Sequence, residues 1–220
     1  MPRRGAGRAP LEIARARGKN AGMPLPPSAA PDPIARFRDA LARAAAASPH
    51  DATAAALATA DARGAPSVRM VLVKSADARG FAFFTNRESR KARDLAANPR
   101  AALCFHWPAL EEQVRVEGAV TPLPDAEADA YFRSRPRESR VGAWASRQSA
   151  PLGDRAELEA AVREVEARFP GDEIPRPPFW GGYLVAPERI EFWRSGPGRL
   201  HHRTVYVRRG DGWEVGALQP

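Results

Sequence analysis

Arginine and serine are concentrated in one stretch of the chain, residues 133–149, with the sequence RSRPRESRVGAWASRQS. Five arginines and four serines fall within these seventeen residues. Guanidinium groups offer planar, bidentate donors that suit a phosphate, and serine hydroxyls add short neutral donors. A solvated basic connector would carry the same charge, but Ala143 and Trp144 are poor choices for a solvated face and Pro136 stiffens the approach. We therefore interpret the stretch as a ligand-binding segment.

Other basic and hydroxyl residues lie near the predicted ends of strands and helices. Arg69 and Lys74 bracket the apolar segment RMVLVK. Thr85 precedes Ser89–Lys91, where a predicted helix start and two cations would form an anion site. Because these residues and residues 133–149 form separate clusters, we expect two phosphates, one on a cofactor and one on a substrate.

A spacing of four residues relates Tyr131, Arg135 and Ser139. If this part of the chain is one helical stretch, the three side chains lie on the same side of it. The spacing therefore predicts a cluster of a hydroxyl, a guanidinium and a phenol that could hold one anion.

The elements that must position these residues are mostly short strands separated by turn signals. The predicted helices cover residues 33–47, 89–98, 124–134 and 154–169. The predicted strands cover residues 54–60, 67–74, 81–85, 101–107, 113–122, 180–186, 189–193, 203–208 and 213–218. Antiparallel strands with interspersed helices predict a mainly β fold with helices (α+β), built on a closed β-barrel.

Length and composition predict one domain with a tail. The 220 residues are 44% hydrophobic, and no apolar run approaches the length of a membrane span. Residues 1–31 are rich in Arg, Ala, Gly and Pro, so we predict a disordered basic leader followed by a single domain over residues 32–220. The single cysteine, Cys104, lies in the apolar run AALCFHW, which favours a buried thiol and a reducing, cytoplasmic compartment.

The sequence lacks the motifs that are typical of several functional classes. The net charge of +8 raises the possibility of nucleic-acid binding, but the charge is not concentrated on one helix and no zinc-finger or RNP motif is present. The sequence has no P-loop, no glycine-rich dinucleotide fingerprint and no Gly-x-Ser-x-Gly motif. Adjacent His201 and His202 would point to opposite faces of a strand, so we predict no metal site.

At this point the motifs resemble those of a known family, the pyridoxine/pyridoxamine 5′-phosphate oxidases. The resemblance runs from about Asp32 to Pro220. The segments that carry it are RMVLVK (69–74), FFTNRESRKARDL (83–95), NPRAALCFHW (98–107), YFRSRPRESRVGAWASRQS (131–149), PPFWGGY (177–183), IEFWRSGPGRLHHR (190–203) and GDGWEV (210–215).

The resemblance implies a split β-barrel homodimer that binds flavin mononucleotide (FMN) between its subunits. The FMN contacts that it implies are Arg69, Met70, Val71, Leu72, Val73, Lys74, Phe84, Thr85, Arg90, Lys91, Gln113, Gln148, Ser149, Trp193 and Arg203. The substrate phosphate would be bound by Lys74, Tyr131, Arg135 and Ser139. Arg199 and His201 would cover the substrate ring as the catalytic residues, by positioning the substrate and adjusting its protonation.

The activity implied is oxidation of pyridoxamine 5′-phosphate and pyridoxine 5′-phosphate by oxygen. Hydride would pass from the C4′ carbon to the flavin, and the products would be pyridoxal 5′-phosphate and hydrogen peroxide, with ammonia from the amine. Two positions depart from the family pattern: His202 replaces the usual Asp of Arg-Leu-His-Asp-Arg, and Ala217 replaces an Arg near the C-terminus. A non-catalytic flavin or pyridoxal-phosphate carrier is the alternative that these departures leave open.

Overall fold

The computed structural model describes residues 32–220, so the predicted leader over residues 1–31 lies outside the described residues. The predicted fold class, mainly β with helices, is confirmed. The antiparallel strands are β1 (Ala54–Ala60), β2 (Pro66–Asp77), β3 (Gly80–Asn86), β4 (Arg100–Trp107), β5 (Glu112–Pro122), β6 (Trp180–Arg194), β7 (His202–Arg209) and β8 (Gly212–Ala217). The helices are α1 (Pro33–Ala47), α2 (Arg90–Ala97), α3 (Asp125–Ser134), α4 (Arg137–Ala145) and α5 (Arg155–Arg168).

The long strand β6 closes the barrel. The strand order is β3-β2-β1-β4-β5-β6-β7-β8, and β3 also pairs with β6. One edge of β6 pairs with β5 along most of its length, whereas the other edge pairs with β3 over residues 180–185 and with β7 over residues 189–194. Six strands therefore form a closed ring, and β7 and β8 extend from it as a separate hairpin.

Strand β6 also corrects a prediction, since residues 180–186 and 189–193 belong to one strand of fifteen residues. Pro187 interrupts the local pattern, but the register with β5 shifts between Glu117 and Gly118, where Gly118 lies opposite Pro187. A Cβ atom on Gly118 would lie 1.9 Å from the Ala186 carbonyl oxygen. The glycine therefore lets the two backbones approach closely at this irregularity.

Helix α1 packs its apolar face against the barrel core. Its N-cap is Asp32, whose side chain accepts hydrogen bonds from the backbone of Ile34 and Ala35, as expected for an Asp-Pro helix start. Phe37 is fully buried, and its ring centroid lies 4.8 Å from those of Phe81 and Phe105. Helix α1 thus contributes its buried face to the barrel core.

Helices α3, α4 and α5 surround a second, smaller core centred on Phe132, Val141, Ile174 and Trp180. Val162 and Val165 of α5, and Phe169 directly after it, pack against this core, although these side chains remain partly exposed. No helix within residues 32–220 has the length and apolar character needed to cross a membrane.

Candidate functional site

A cavity of about 420 Å³ lies between the second core and strands β2 and β3. It brings together eight of the predicted site residues, which come from four separate segments of the chain: Leu72, Lys74, Phe84, Thr85, Tyr131, Arg135, Ser139 and Gln148. Five further lining residues are not among the predicted site residues: Asn86, Gly142, Ala143, Ser146 and Trp180. Trp180 lies within the PPFWGGY segment, one of the segments that resemble the family, and this resemblance could have identified it as a site residue.

A buried lysine, Lys91, lies next to two residues that line one end of this cavity. The Lys91 Nζ atom donates to Gln148 Oε1 at 2.8 Å and to Thr85 Oγ1 at 3.1 Å, and both acceptors line the cavity. It also lies 3.3 Å from Ser89 Oγ. The Lys91 residue is only 8% exposed, and burial, followed by the charge of Arg69, lowers its pKa to about 8.

All the partners of Lys91 among the described residues are neutral oxygen atoms, and no carboxylate there lies within ion-pair distance of it. Burying an ammonium group without a counter-charge is costly, and a bound anion would remove that cost. The start of α2 thus brings together a buried cation, hydroxyls and the first turn of a helix, which is the arrangement that the sequence predicts for an anion site.

Arg69 lies near Lys91, and Arg90 lies near Arg69. Burial, and then the charge of Arg90, lowers the pKa of Arg69, while Asp94 raises it. Arg69 in turn lowers the pKa of Lys91. The three predicted cations thus form one cluster of mutually repelling charges, which favours a dianionic ligand.

The other end of the cavity is formed by Arg135 and a wall of aromatic rings. The Arg135 Cζ atom lies 4.9 Å from the centroid of Trp180, and its Nη1 atom is buried without a hydrogen-bond partner among residues 32–220. Burial lowers the pKa of Arg135. The ring of Phe84 stacks on Tyr131 at 4.2 Å and on Trp180 at 5.5 Å. This end therefore offers an unsatisfied guanidinium donor beside a flat apolar surface.

Tyr131, Arg135 and Ser139, which are spaced four residues apart, all line the cavity, but they do not lie on one continuous helix. Helix α3 ends at Ser134, Arg135 has extended backbone angles (φ −75°, ψ 148°), and α4 begins at Arg137. The cause is Pro136, because a proline disfavours helical backbone at the preceding residue. Tyr131 therefore comes from α3, Arg135 from the break and Ser139 from α4.

Gly182 is required by the same aromatic wall. A Cβ atom at this position would lie 2.7 Å from Phe84 Cε1 and from Leu123 Cδ1. A side chain there would push Phe84 out of its stack with Tyr131 and Trp180. The second glycine of the PPFWGGY segment, Gly182, is therefore needed for the packing of Phe84.

A second group of predicted residues lies on neighbouring positions of β5, β6 and β7. Gln113 pairs with Trp193, and Trp193 pairs with Arg203, so the three residues form a row across the strands. The His201 ring lies 4.6 Å from that of Trp193, and its Nδ1 atom accepts a hydrogen bond from the Gly196 amide at 3.3 Å. None of these residues lines the 420 Å³ cavity of the same chain.

Arg203 is held by a carboxylate that the sequence analysis did not select. Glu191 is 2% exposed, and it accepts hydrogen bonds at 2.8 Å from both Arg203 Nε and Arg115 Nη2. Burial opposes ionisation, but the bonds from Arg203 and Arg115 prevail and lower the pKa of Glu191. The sequence indicates this ion-pair network only by the presence of one acidic residue, Glu191, in the otherwise apolar segment IEFW.

The remaining predicted contacts lie at different places. Val71 and Val73 pack toward the barrel core, so a ligand could reach them only through their backbone. Met70 is exposed on the opposite face of β2, where it lines a different, largely apolar cavity. Ser149 and Arg199 both have left-handed backbone angles, with φ values of 71° and 64°. Such angles are uncommon for residues other than glycine and are typical of functional loops.

No group of three or more His, Cys, Asp or Glu side chains within the described part of the chain is arranged to hold a metal ion. Cys104 is half-buried, and burial raises the pKa of its thiol, as expected for a packed rather than a reactive cysteine.

Family comparisons agree with this arrangement of residues. Residues 41–169 match the profile described as pyridoxamine 5′-phosphate oxidase, and residues 180–220 match that of the pyridoxine 5′-phosphate oxidase C-terminal dimerisation region. The pyridoxine/pyridoxamine 5′-phosphate oxidase of Myxococcus xanthus strain DK1622 is 56% identical over 86% of this chain and 92% of its own. That of Alkalilimnicola ehrlichii is 58% identical over 85% of this chain and 96% of its own.

Among solved structures, PhzG from Burkholderia lata 383, in complex with tetrahydrophenazine-1-carboxylic acid, is similar with a TM-score of 0.81. It is 36% identical, and the match covers 86% of this chain and 93% of that one. An FMN-binding protein from Nostoc punctiforme shares the fold, with a TM-score of 0.68 at 21% identity over 84% of this chain and 97% of that one. On these grounds the chain belongs to the pyridoxine/pyridoxamine 5′-phosphate oxidase family.

Proposed function

We propose that this protein is an FMN-dependent oxidase that converts pyridoxamine 5′-phosphate and pyridoxine 5′-phosphate to pyridoxal 5′-phosphate. The observation that carries the proposal is a pair of cations, the buried Lys91 and the half-buried Arg135, that have no carboxylate within ion-pair distance among residues 32–220. Arg135 lines the cavity, and Lys91 donates to Thr85 and Gln148, which also line it. Two such cations fit two phosphates, one on the cofactor and one on the substrate. The relatives that are 56% and 58% identical to the chain are named pyridoxine/pyridoxamine 5′-phosphate oxidases, and their names support the proposed reaction.

The Lys91 end fits the phosphate of FMN. Lys91, Arg69 and Arg90 would supply positive charge, and Thr85 and Gln148 would supply hydroxyl and amide groups for the phosphate and ribityl oxygens. The chemistry that FMN supplies when bound is acceptance of a hydride from the substrate C4′ carbon and delivery of two electrons to oxygen, which becomes hydrogen peroxide.

The Arg135 end fits the phosphate of the substrate. Burial is the main cause that raises the pKa of Tyr131, so its phenol stays protonated and can donate to a phosphate oxygen. Ser139 adds a second hydroxyl, and the exposed Lys74 adds a charge at the mouth of the cavity. The unsatisfied Arg135 Nη1 atom would complete its hydrogen bonding on the same phosphate.

We further propose that each site is completed by a second copy of the chain, with FMN between the subunits. The row Gln113–Trp193–Arg203 and the catalytic candidates Arg199 and His201 lie apart from the cavity in one chain, which is the arrangement that a shared site requires. The match of residues 180–220 to a dimerisation region supports this proposal. An exposed apolar row on β2, formed by Val68, Met70 and Leu72, offers a surface for the partner.

His201 would act in this site as a hydrogen-bond donor. Its Nδ1 atom accepts from the Gly196 amide, so the neutral ring carries its proton on Nε2, where it can donate to the substrate. Stacking against Trp193 holds the ring in place. With Arg199, His201 would orient the substrate ring for transfer of the C4′ hydride. The expected cytoplasmic location rests on the single cysteine and stays a prediction.

Aerobic turnover tests the proposal. Purified protein supplied with FMN and pyridoxamine 5′-phosphate should form aldehyde and peroxide in equal amounts. Arg135→Ala should lower kcat/KM about a hundredfold, because it removes a charged donor to the substrate phosphate. The matched control is Arg163→Ala, which removes an exposed arginine of α5 and should leave kcat/KM within about twofold, as for most surface substitutions.

The carrier alternative makes a different prediction. A protein that turns yellow with FMN and binds the substrate, but forms neither aldehyde nor peroxide, would be a carrier. His202→Asp would then be the first substitution to make, since it restores the family's acid at that position. Loss of turnover in Arg199→Ala with FMN binding intact would assign Arg199 to the substrate side of the site.

A further inference from the structure

Arg69, one of the three cations at the proposed FMN phosphate site, donates hydrogen bonds to three acceptors on β1 and β2. Its Nη1 atom donates to the Leu57 carbonyl at 3.1 Å and to Thr59 Oγ1 at 2.8 Å. Its Nη2 atom donates to Ser67 Oγ. The guanidinium is therefore fixed in one orientation on the inner side of β1 and β2.

Behind Arg69 lies a buried pair formed by Thr59 and Asp94. The Thr59 hydroxyl donates to Asp94 Oδ2 at 2.7 Å, and the residues are only 4% and 6% exposed. The same carboxylate oxygen lies 3.7 Å from Arg69 Nη2. Because the single hydroxyl proton of Thr59 goes to Asp94, its lone pairs are left to accept from Arg69.

Helix α2 supplies both the cations and this acid. Arg90 and Lys91 lie in its first turn, and Asp94 follows one turn later on the buried side. Arg69 would otherwise face only positive neighbours, since the charge of Arg90 lowers its pKa and Arg69 itself lowers that of Lys91. A carboxylate behind the guanidinium offsets this repulsion and keeps Arg69 from turning away.

We propose that Thr59 and Asp94 are positioning residues that hold Arg69 in place for the cofactor phosphate. This inference rests on the proposed function, because it takes the anion at α2 to be the phosphate of FMN. Neither residue need touch the phosphate, since both act through Arg69. Their contribution should therefore appear in phosphate recognition and not in recognition of the flavin ring.

The test compares FMN with riboflavin, which has the same ring and ribityl chain but no phosphate. Apoprotein of the wild type and of variants is titrated with each flavin by fluorescence quenching. Thr59→Val keeps the shape of the side chain and removes the hydroxyl, so it should weaken FMN binding about tenfold and leave riboflavin binding unchanged. Thr59→Ser restores a hydroxyl and should bind FMN within about twofold of the wild type.

Asp94→Ala provides an independent variant, also expected to weaken FMN binding about tenfold. If the two residues act as one unit, the double variant Thr59→Val/Asp94→Ala should bind FMN no more weakly than the weaker single variant. Wild-type FMN affinity in Thr59→Val, or equal losses for FMN and riboflavin, would overturn the positioning role. A wild-type protein with no preference for FMN over riboflavin would instead overturn the proposed phosphate site.

Discussion

At the scale of single residues, Lys91 has the environment that most directly constrains the chemistry of the site. Its pKa falls from 10.5 to about 8, first through burial and then through the charge of Arg69. Between these two values the unfolded chain binds more protons than the folded chain, so the stability of the apoprotein should rise with pH. Below about pH 8 the whole cost of burying the ammonium group is present. A bound phosphate would offset this cost by pairing with the ammonium group.

This linkage predicts a pH-dependent difference between the wild type and Lys91→Met. As pH rises from 8 to 10, apo wild type should gain about 2 kcal/mol of unfolding free energy relative to the variant, which has no ammonium group. Urea denaturation of both proteins at several pH values measures the difference, and parallel curves would contradict it. Conversely, wild-type affinity for FMN should be level between about pH 7 and pH 8, where the phosphate is a dianion, and should fall above about pH 8, because the neutral amine no longer attracts the phosphate.

At the scale of elements, the break between α3 and α4 sets the position of Arg135. Pro136 keeps Arg135 extended and directs its guanidinium toward Trp180. Pro136→Ala removes that restriction and lets the two helices join. The KM for pyridoxamine 5′-phosphate should then rise about tenfold, because Arg135 leaves the phosphate end of the cavity. FMN affinity, measured by quenching, should stay within about twofold, and a normal KM would show that the break does not position Arg135.

The same elements show which features the sequence predicts and which it does not. Helix α1 was predicted with its observed ends, because Asp32 and Pro33 are local signals that need no tertiary partner. The sequence predicts strand β6 as two strands, because Pro187 interrupts the local strand pattern. The strand continues through Pro187 because Gly118 lies opposite it on β5, and this pairing cannot be read from the local sequence. The grouping of Tyr131, Arg135 and Ser139 was right although the single helix was not. Glu191 was missed because the arginines that keep it charged lie on other strands.

At the scale of the whole molecule, the predicted site residues separate into two sets within one chain. Lys91, Arg135 and their neighbours surround one cavity, whereas Arg199, His201 and the row through Trp193 lie on the β6–β7 side. If the sites are shared, each one takes the first set from one subunit and the second set from its partner. Residues 32–220 would then act as a single FMN-binding domain that is active only as a dimer.

Shared sites predict rescue between two inactive variants. Arg135→Ala and Arg199→Ala disable opposite halves, so a heterodimer of the two has one intact site and one doubly defective site. Random pairing makes half of the dimers heterodimers, and co-expressed variants should therefore show about a quarter of wild-type turnover per chain. Each variant co-expressed with a second copy of itself is the control and should keep only the residual turnover of that variant. If Arg135 and Arg199 served the same site from one chain, no heterodimer would contain an intact site, and the turnover of the mixture would stay at the level of the single variants.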